Sequence, residues 1–485
     1  MLIHGNEIKP SYNPQQKSNG FTLFHRFALF MSHISLQRLT ALALCSLAAA
    51  GAWAQPAQTA DTEDTTARYQ LTYNWQHHDA FRANYSGANS LSPQSERMYT
   101  FSTTAHWGFR PWQDGELYFN PEVTSGVPFS GNLVGMGGFT NGEITRAGGS
   151  TPKLYRQRLF LRQTWNHGGE REQVESDFNQ MAGWVDKNRF VLTAGNFSTL
   201  DVFDDNAYAK DPRTQFMNWG NWTYAAYDYA ADARGFGWGF AGEWYQDNWV
   251  LRFGRMTGPK EPNGLPVDFA LGKHYGDQVE IERGHMLADQ PGKVRVLAWR
   301  NRANTASFDD ATQWLQTHPG LQTTPQALVE SRNGEKIKYG LGVNIEQAIN
   351  PSVGFFLRAM KADGRTETYA FTEVDGSLST GLVFKGGLWG RADDAVGVAF
   401  MRNTLSSQRR DFLAAGGMSY FIGDAATGST TSLTYKPEQI LEAFYSFQMT
   451  RGTWLTTDYQ RIQNPAYNAD RGPVNVYALR FHAEF

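Results

Sequence analysis

The feature that most constrains this chain is an alternation of apolar and polar residues with a period of two, repeated from residue 67 to the last residue. In YRQRLFLRQTW, Tyr155, Leu159, Leu161 and Trp165 share one side with two glutamines, while Arg156, Arg158 and Arg162 fall on the other. Successive side chains of a strand point to opposite faces, so this stretch predicts a β-strand with one basic face. The pattern recurs at Tyr69, Leu71, Tyr73 and Trp75, at Tyr339, Leu341, Val343 and Ile345, and in the closing run Tyr477, Leu479, Phe481, Ala483 and Phe485.

The connections alternate between two sizes. Short turns such as QDG at Gln113, QDN at Gln246, DQPG at Asp289, INPS at Ile349 and ADD at Ala392 carry turn chemistry. Between them lie long segments rich in Gly, Asn, Ser and Thr: 78–95, 125–153, 198–232, 258–275, 304–337, 364–378, 405–432 and 464–472. Short turns on one side and long loops on the other predict an all-β, transmembrane antiparallel barrel of about sixteen strands. A soluble sandwich would also alternate, but it explains neither the loop sizes nor the aromatic residues at strand ends. One short-side connection, 167–188, is too long for this scheme, and its REQVESDFNQMAGW is compatible with a short helix.

The run LTALALCSLAAAGAWA, Leu39 to Ala54, follows Arg38 and ends in a small-x-small pattern. It predicts a secretory leader over 1–54, cleaved after Ala54, then a short polar periplasmic segment over 55–66 and the barrel over 67–485. The only cysteine, Cys45, falls inside the leader, so the mature chain offers neither a disulfide nor a cysteine metal site. A net charge of −3 gives no basic field for nucleic acid.

If the apolar face of 155–165 meets lipid, Arg156, Arg158 and Arg162 face the lumen; the reverse would put each arginine in hydrocarbon at roughly 2–4 kcal/mol. The neighbouring strand GELYFNPEV carries Glu116, Asn120 and Glu122 on its polar face. A register with Val123 opposite Tyr155 would set Glu122 against Arg156, Asn120 against Arg158 and Glu116 against Arg162. The same alternation sends Arg358, Lys385, Asp458 and Arg480 inward, with Glu346 and Glu442 among them. Both signs of charge held close together supply the paired donors and acceptors that sugar hydroxyls use.

The long connection FSTLDVFDDNAYAKDPRTQFMNWGNW, Phe197 to Trp222, mixes aromatics with charge. Folded inward it would narrow the pore, and Asp201, Asp204, Asp205, Arg213, Trp219 and Trp222 are the candidates for a constriction, the aromatic faces stacking on pyranose rings. Asp201, Asp204, Asp205 and Asn206 could collect calcium, although their spacing is not that of an EF-hand loop; otherwise no metal or cofactor is expected. Neither a GxSxG nor an HExxH pattern is present, and no enzyme is expected.

The inward-loop sequence, together with YDYAADARGFGWG (Tyr227 to Gly239), RADDAVGVAFMRNTLSSQRRDFLAAGG (Arg391 to Gly417) and the closing segment Asp458 to Phe485, resembles the carbohydrate-selective, glucose-type porins of Gram-negative outer membranes. The resemblance implies a sixteen-stranded barrel, passive diffusion of monosaccharides such as glucose, and a constriction built from arginines and inward loops. It also implies that the terminal Phe485 is read by the barrel-assembly machinery. The partners expected are sugars and outer-membrane lipids, with a monomer or a homotrimer as the assembly. The arginine row keeps open a second reading, a channel for anionic solutes such as sugar acids. A rim enzyme acting on lipids or peptides is the third. Segment 304–337 carries the least of the likeness.

Overall fold

The computed structural model describes residues 62–131, 134–143, 149–370, 372–423 and 433–485. The expected leader lies outside the described residues.

The strands are β1 (Thr65–His78), β2 (Glu96–Trp112), β3 (Gly115–Val127), β4 (Gly149–Asn166), β5 (Arg171–Val174), β6 (Gly183–Asp186), β7 (Arg189–Phe197), β8 (Gly237–Gln246) and β9 (Trp249–Met256). The second half comprises β10 (Tyr275–Leu287), β11 (Gln290–Asn304), β12 (Glu335–Asn350), β13 (Val353–Ala362), β14 (Gly376–Lys385), β15 (Ala395–Thr404), β16 (Glu438–Thr450), β17 (Thr453–Gln463) and β18 (Val474–Glu484). All but β5 and β6 pair with their sequence neighbours into one closed antiparallel barrel of sixteen strands. Closure leaves no unpaired strand edge in hydrocarbon. The seam is sealed by the chain's two ends: β1 pairs with β18, Asn74 opposite Arg480, and the Tyr69 and Phe485 backbones exchange hydrogen bonds of 3.0 and 2.8 Å.

The alternation has its expected physical meaning. Along β1, Tyr69 and Tyr73 are exposed on the outside, while Gln70, Thr72, Asn74 and Gln76 are buried on the inside. The same division runs round the barrel, with Val279, Ile281, Tyr339, Leu341, Phe400 and Leu441 outside and Glu280, Asn344, Glu346, Arg358 and Glu442 inside. Long loops emerge at one end and short turns at the other, which places the long loops outside the cell. Within the long connection after β11, the helix Phe308–Thr317 packs against the helix Ser407–Ala414 of another long loop, with Phe308 and Phe412 ring centres 5.3 Å apart.

Two expectations are corrected. Segment 167–188 is not helical: β5 and β6 form a separate hairpin, too short to cross the membrane. The register between β3 and β4 keeps Glu116 opposite Arg162 and Asn120 opposite Arg158, then slips, so that Pro121 faces Arg156 and Glu122 faces Tyr155. Pro121 has no N–H to give to the ladder, and a bulge is where a strand can accommodate that loss. Past the bulge the faces of β4 exchange. Tyr155 and Gln157 turn inward onto the Glu122 carboxylate, Gln157 Nε2 at 2.5 Å. Arg156 turns to the outer side, its guanidinium 4.9 Å over Trp238, whose strand face continues into the exposed Phe240 and Trp244. Arg156 is therefore not a pore-lining residue. The inner face of β4 also holds an apolar member, Phe160, and Arg162 lies over the rings of Tyr118 and Phe160 at 5.4 and 5.5 Å.

Candidate functional site

The connection between β7 and β8 folds into the lumen and is fastened to the wall at several points. It begins with a single 3-10 turn, Thr199–Asp201, capped by Ser198; the Asp201 carboxylate in return accepts from the Ser198 N–H at 2.9 Å. That reciprocal cap fixes the Asp201 carboxylate. Arg158 then grips it with two parallel bonds of 2.7 and 2.6 Å. Burial alone would raise the Asp201 carboxyl, but the Arg158 guanidinium more than offsets this and holds it below the ordinary carboxylate range.

Asp204 is the deepest anchor. Its carboxylate accepts from Arg358 Nε at 2.8 Å, Asn344 Nδ2 at 2.6 Å and the Thr223 hydroxyl at 2.8 Å, while its N–H donates to Glu280 at 2.9 Å. Asn206 and Ala207 continue the attachment to Asn344 and Glu346 on β12. On the opposite wall Glu442 accepts from the N–H groups of Met217 and Asn218 and from Asn221 Nδ2. Arg480 donates to the carbonyls of Pro212 and Gln215 at 2.7 and 2.9 Å. Asp458 accepts from Gln460 Nε2 at 3.0 Å, and Gln460 itself bonds Asn218. Losing one partner of a buried ion pair typically costs about 3–5 kcal/mol, so these contacts hold the loop in one place.

Arg213, Asp205 and Lys210 of this loop stay partly exposed, and their partners Glu122, Glu143 and Arg295 are buried behind them. Arg213 bridges Glu122 at 3.1 Å and Glu143 at 3.0 Å. Asp205, more than half exposed, lies 3.7 Å from both Lys210 and Arg295. Arg158, Asp201, Asp205, Lys210 and Arg213 are thus charged groups of both signs that retain some exposure on the loop and the wall beside it.

Two expected roles are not found where they were placed. Trp219 and Trp222 are buried, packed edge to face at 5.1 Å, with Trp219 also near Tyr229. Their short helix, Trp219–Trp222, is capped by Asn218 and clamped by Glu442, so the indoles pack the loop and offer no open face to a sugar. Lys385 ends β14 at the short-turn rim and is exposed, away from the loop.

Several wall residues escaped the sequence reading. Arg252 pairs with Glu243, Glu280 and Glu282 at 2.9 to 3.0 Å, and Arg295 with Glu282 and Glu346 at 2.7 and 3.0 Å. The signal was present, since Glu280 and Glu282 alternate with Val279 and Ile281. Glu143 comes from a long loop where no period exists to reveal it. Asp228, in the YDYAAD motif, ties a second loop inward: it pairs with Lys338 at 2.9 Å and accepts from the Tyr369 and Ala370 N–H groups.

The β5–β6 hairpin closes on the lumen from the periplasmic end. Asn179 at its tip accepts from Asn120 Nδ2 at 2.8 Å and from Arg162 at 2.9 Å; the Met181 N–H donates to the Tyr118 hydroxyl, and Phe178 lies 4.6 Å from the His106 ring. Asp201 pairs with Arg158, Asp204 with Arg358, and Asp205 with Lys210 and Arg295. Among the described residues no group of three His, Cys, Asp or Glu could hold a metal ion.

A closed sixteen-stranded barrel with charged inner walls and an inward-folded loop defines an outer-membrane porin. A model of the carbohydrate-selective porins, OprB family, matches residues 88–485, and this chain belongs to that family. The high-pH structure of Pseudomonas putida OprB is similar with a TM-score of 0.61 at 15% identity, covering 87% of this chain and 94% of that one. The low-pH structure of the same protein gives 0.45 at 11%, covering 87% and 93%. The outer-membrane channel DcaP of Acinetobacter baumannii gives 0.47 at 10%, covering 89% and 100%. At 15% identity the first likeness speaks to the fold. No curated protein matches the chain.

Proposed function

We propose that the protein lets neutral monosaccharides such as glucose diffuse passively across the outer membrane. The observation that carries this reading is a margin of partly exposed charges of both signs, Arg158, Asp201, Asp205, Lys210 and Arg213, backed by the buried partners Glu122, Glu143 and Arg295. Each cation there has a carboxylate partner. Such a margin presents fixed donors and acceptors to hydroxyl groups while offering a charged solute no uncompensated field. The proposal assigns transport without catalysis and requires no cofactor.

The test is swelling of liposomes containing the purified barrel, with a panel of neutral sugars and sugar acids, alongside a reversal-potential measurement in a salt gradient. Fast entry of neutral monosaccharides with weak ion selectivity is expected. Strong anion selectivity with preferential entry of sugar acids would replace this reading by a channel for anionic solutes.

A further inference from the structure

The outer wall carries a feature that solute passage does not use. A depression of about 1160 Å³ spans β8 to β13 on the outside of the barrel, above the usual range of about 300–1,000 Å³ for small-molecule pockets. The pairing registers resolve its wall into tiers. One row runs Phe253, Val279, Ala298, Leu341, and the row nearer the long loops runs Arg255, Asp277, Arg300, Tyr339. The row on the periplasmic side is wholly apolar: Leu251, Ile281, Val296, Val343, Ala359. Ala298 stands between larger neighbours, so the surface dips there into a trough with exposed Phe253, Val279 and Leu341 as its sides.

The charged row does not neutralise itself. Arg255 and Arg300 both bind the single Asp277 carboxylate, at 2.7 to 3.1 Å, which leaves one positive charge. Lys361 stands opposite Leu341, and Arg302 lies one row closer to the loops, opposite Tyr275. Asp363 also borders the depression, yet the rim stays net positive. Both guanidinium groups lie over Tyr275, at 3.8 and 5.6 Å, which fixes them at the aromatic level of the membrane boundary. Charge on the lipid face is tolerated near the boundaries and costly at the midplane; here it lies at the two ends of the wall, in the row beside the long loops and at Arg283, which stands over Trp249 at the short-turn end.

We infer that this trough is a binding site for a phosphorylated, multiply acylated lipid of the outer leaflet, its acyl chains along Phe253, Val279, Ala298 and Leu341 and its phosphate at Arg300 and Lys361. Basic residues beside an anionic headgroup and an apolar surface beside the chains are the two complementary halves of such recognition. A second copy of this chain is the competing occupant, but the same net-positive rim on both partners would oppose that contact.

The experiment adds bis-phosphorylated lipid A, or the same lipid with its phosphates removed, to the delipidated barrel in mild detergent and measures retention by native mass spectrometry. The wild type should retain the phosphorylated form in preference. Arg300→Gln with Lys361→Gln should weaken that form by roughly tenfold or more. Ala298→Trp, which fills the trough, should weaken both forms. Heat-modifiability on gels shows that each variant is folded, and the charge variant remains readable if Ala298→Trp does not fold. Equal retention of both lipids, or unchanged binding in the folded charge variant, overturns the site. A disulfide between copies of Ala298→Cys, with no lipid retained, identifies an interface between subunits and overturns it equally.

Discussion

Asp204 of the inward loop and Arg358 of β13 meet at 2.8 Å with both side chains shut off from water, 154 residues apart in the chain. Removing the carboxylate leaves Arg358 buried without its partner, a loss of about 3–5 kcal/mol for pairs of this kind. Asp204→Ala should therefore lower the temperature at which the barrel unfolds on heat-modifiability gels and raise single-channel conductance as the loop leaves the wall. Parent-like conductance in a folded Asp204→Ala barrel would show that the other anchors hold the loop without it.

The bulge at Pro121 gives neighbouring arginines opposite fates. Arg158→Ala removes the partner of Asp201 at the passage, so conductance should rise and the reversal potential shift toward cations. Arg156→Ala, acting on the outer side, should leave both unchanged. Equal effects of the two substitutions in planar-bilayer recordings would contradict the register.

The periplasmic hairpin should limit flux from its own side. Replacing residues 175–182 by a two-residue turn removes the Asn179, Phe178 and Met181 contacts, and conductance should increase without a change in the order of sugar preference. A changed order would assign the hairpin a part in selection.

Phe485 has two separable properties: the residue is 68% exposed, while its backbone completes the seam with Tyr69. Phe485→Ser keeps the backbone bonds and removes the ring. If the assembly machinery reads the aromatic group, this variant should yield much less heat-modifiable barrel in the outer membrane, with normal flux per folded channel. Normal yield from Phe485→Ser and poor yield after deleting the residue would assign the effect to the seam.

Asp394, in the turn between β14 and β15, gives a pH dependence. Burial by itself would raise its carboxyl, but hydrogen bonds from Arg391, Tyr445 and the Gln448 N–H bring it down to about 2 from an ordinary 3.8. The folded state thus favours the ionised form, so this stabilisation is present above about pH 4 and is lost as pH falls through about 2. Asp394→Asn should unfold more readily than the wild type at pH 5, and the two should converge near pH 2 in a denaturation series followed by tryptophan fluorescence. A constant gap across that range would rule out titration of Asp394 as its source.

The strands were legible because each barrel strand faces lipid on one side and a polar interior on the other, which writes the period of two directly into the residues. The charged inner wall was legible for the same reason. Register was harder, since a single unpaired residue exchanges the two faces; the proline of FNPEV was the visible warning that Arg156 and Arg158 would part. The hairpin was missed because REQV and GWVD are too short to display a period. Trp219 and Trp222 were assigned to the solute because composition alone cannot tell an aromatic ring that packs a loop from one that is open to the pore. That distinction rests on Glu442, more than two hundred residues away in the chain.

The seam between β1 and β18 also sets an order of events. Thr72 and His482, hydrogen-bonded at 2.8 Å, are 410 residues apart, so the first strand waits for the last to be synthesised and exported before it acquires this neighbour. The entropic penalty for bringing such distant ends together grows only logarithmically, by about 0.6 kcal/mol per doubling of length, so span alone does not prohibit closure. The hazard is one of time. Until the final strand arrives, any sheet already formed has two unsatisfied edges, each able to pair with another chain, and safe passage to the membrane depends on keeping those edges occupied or apart.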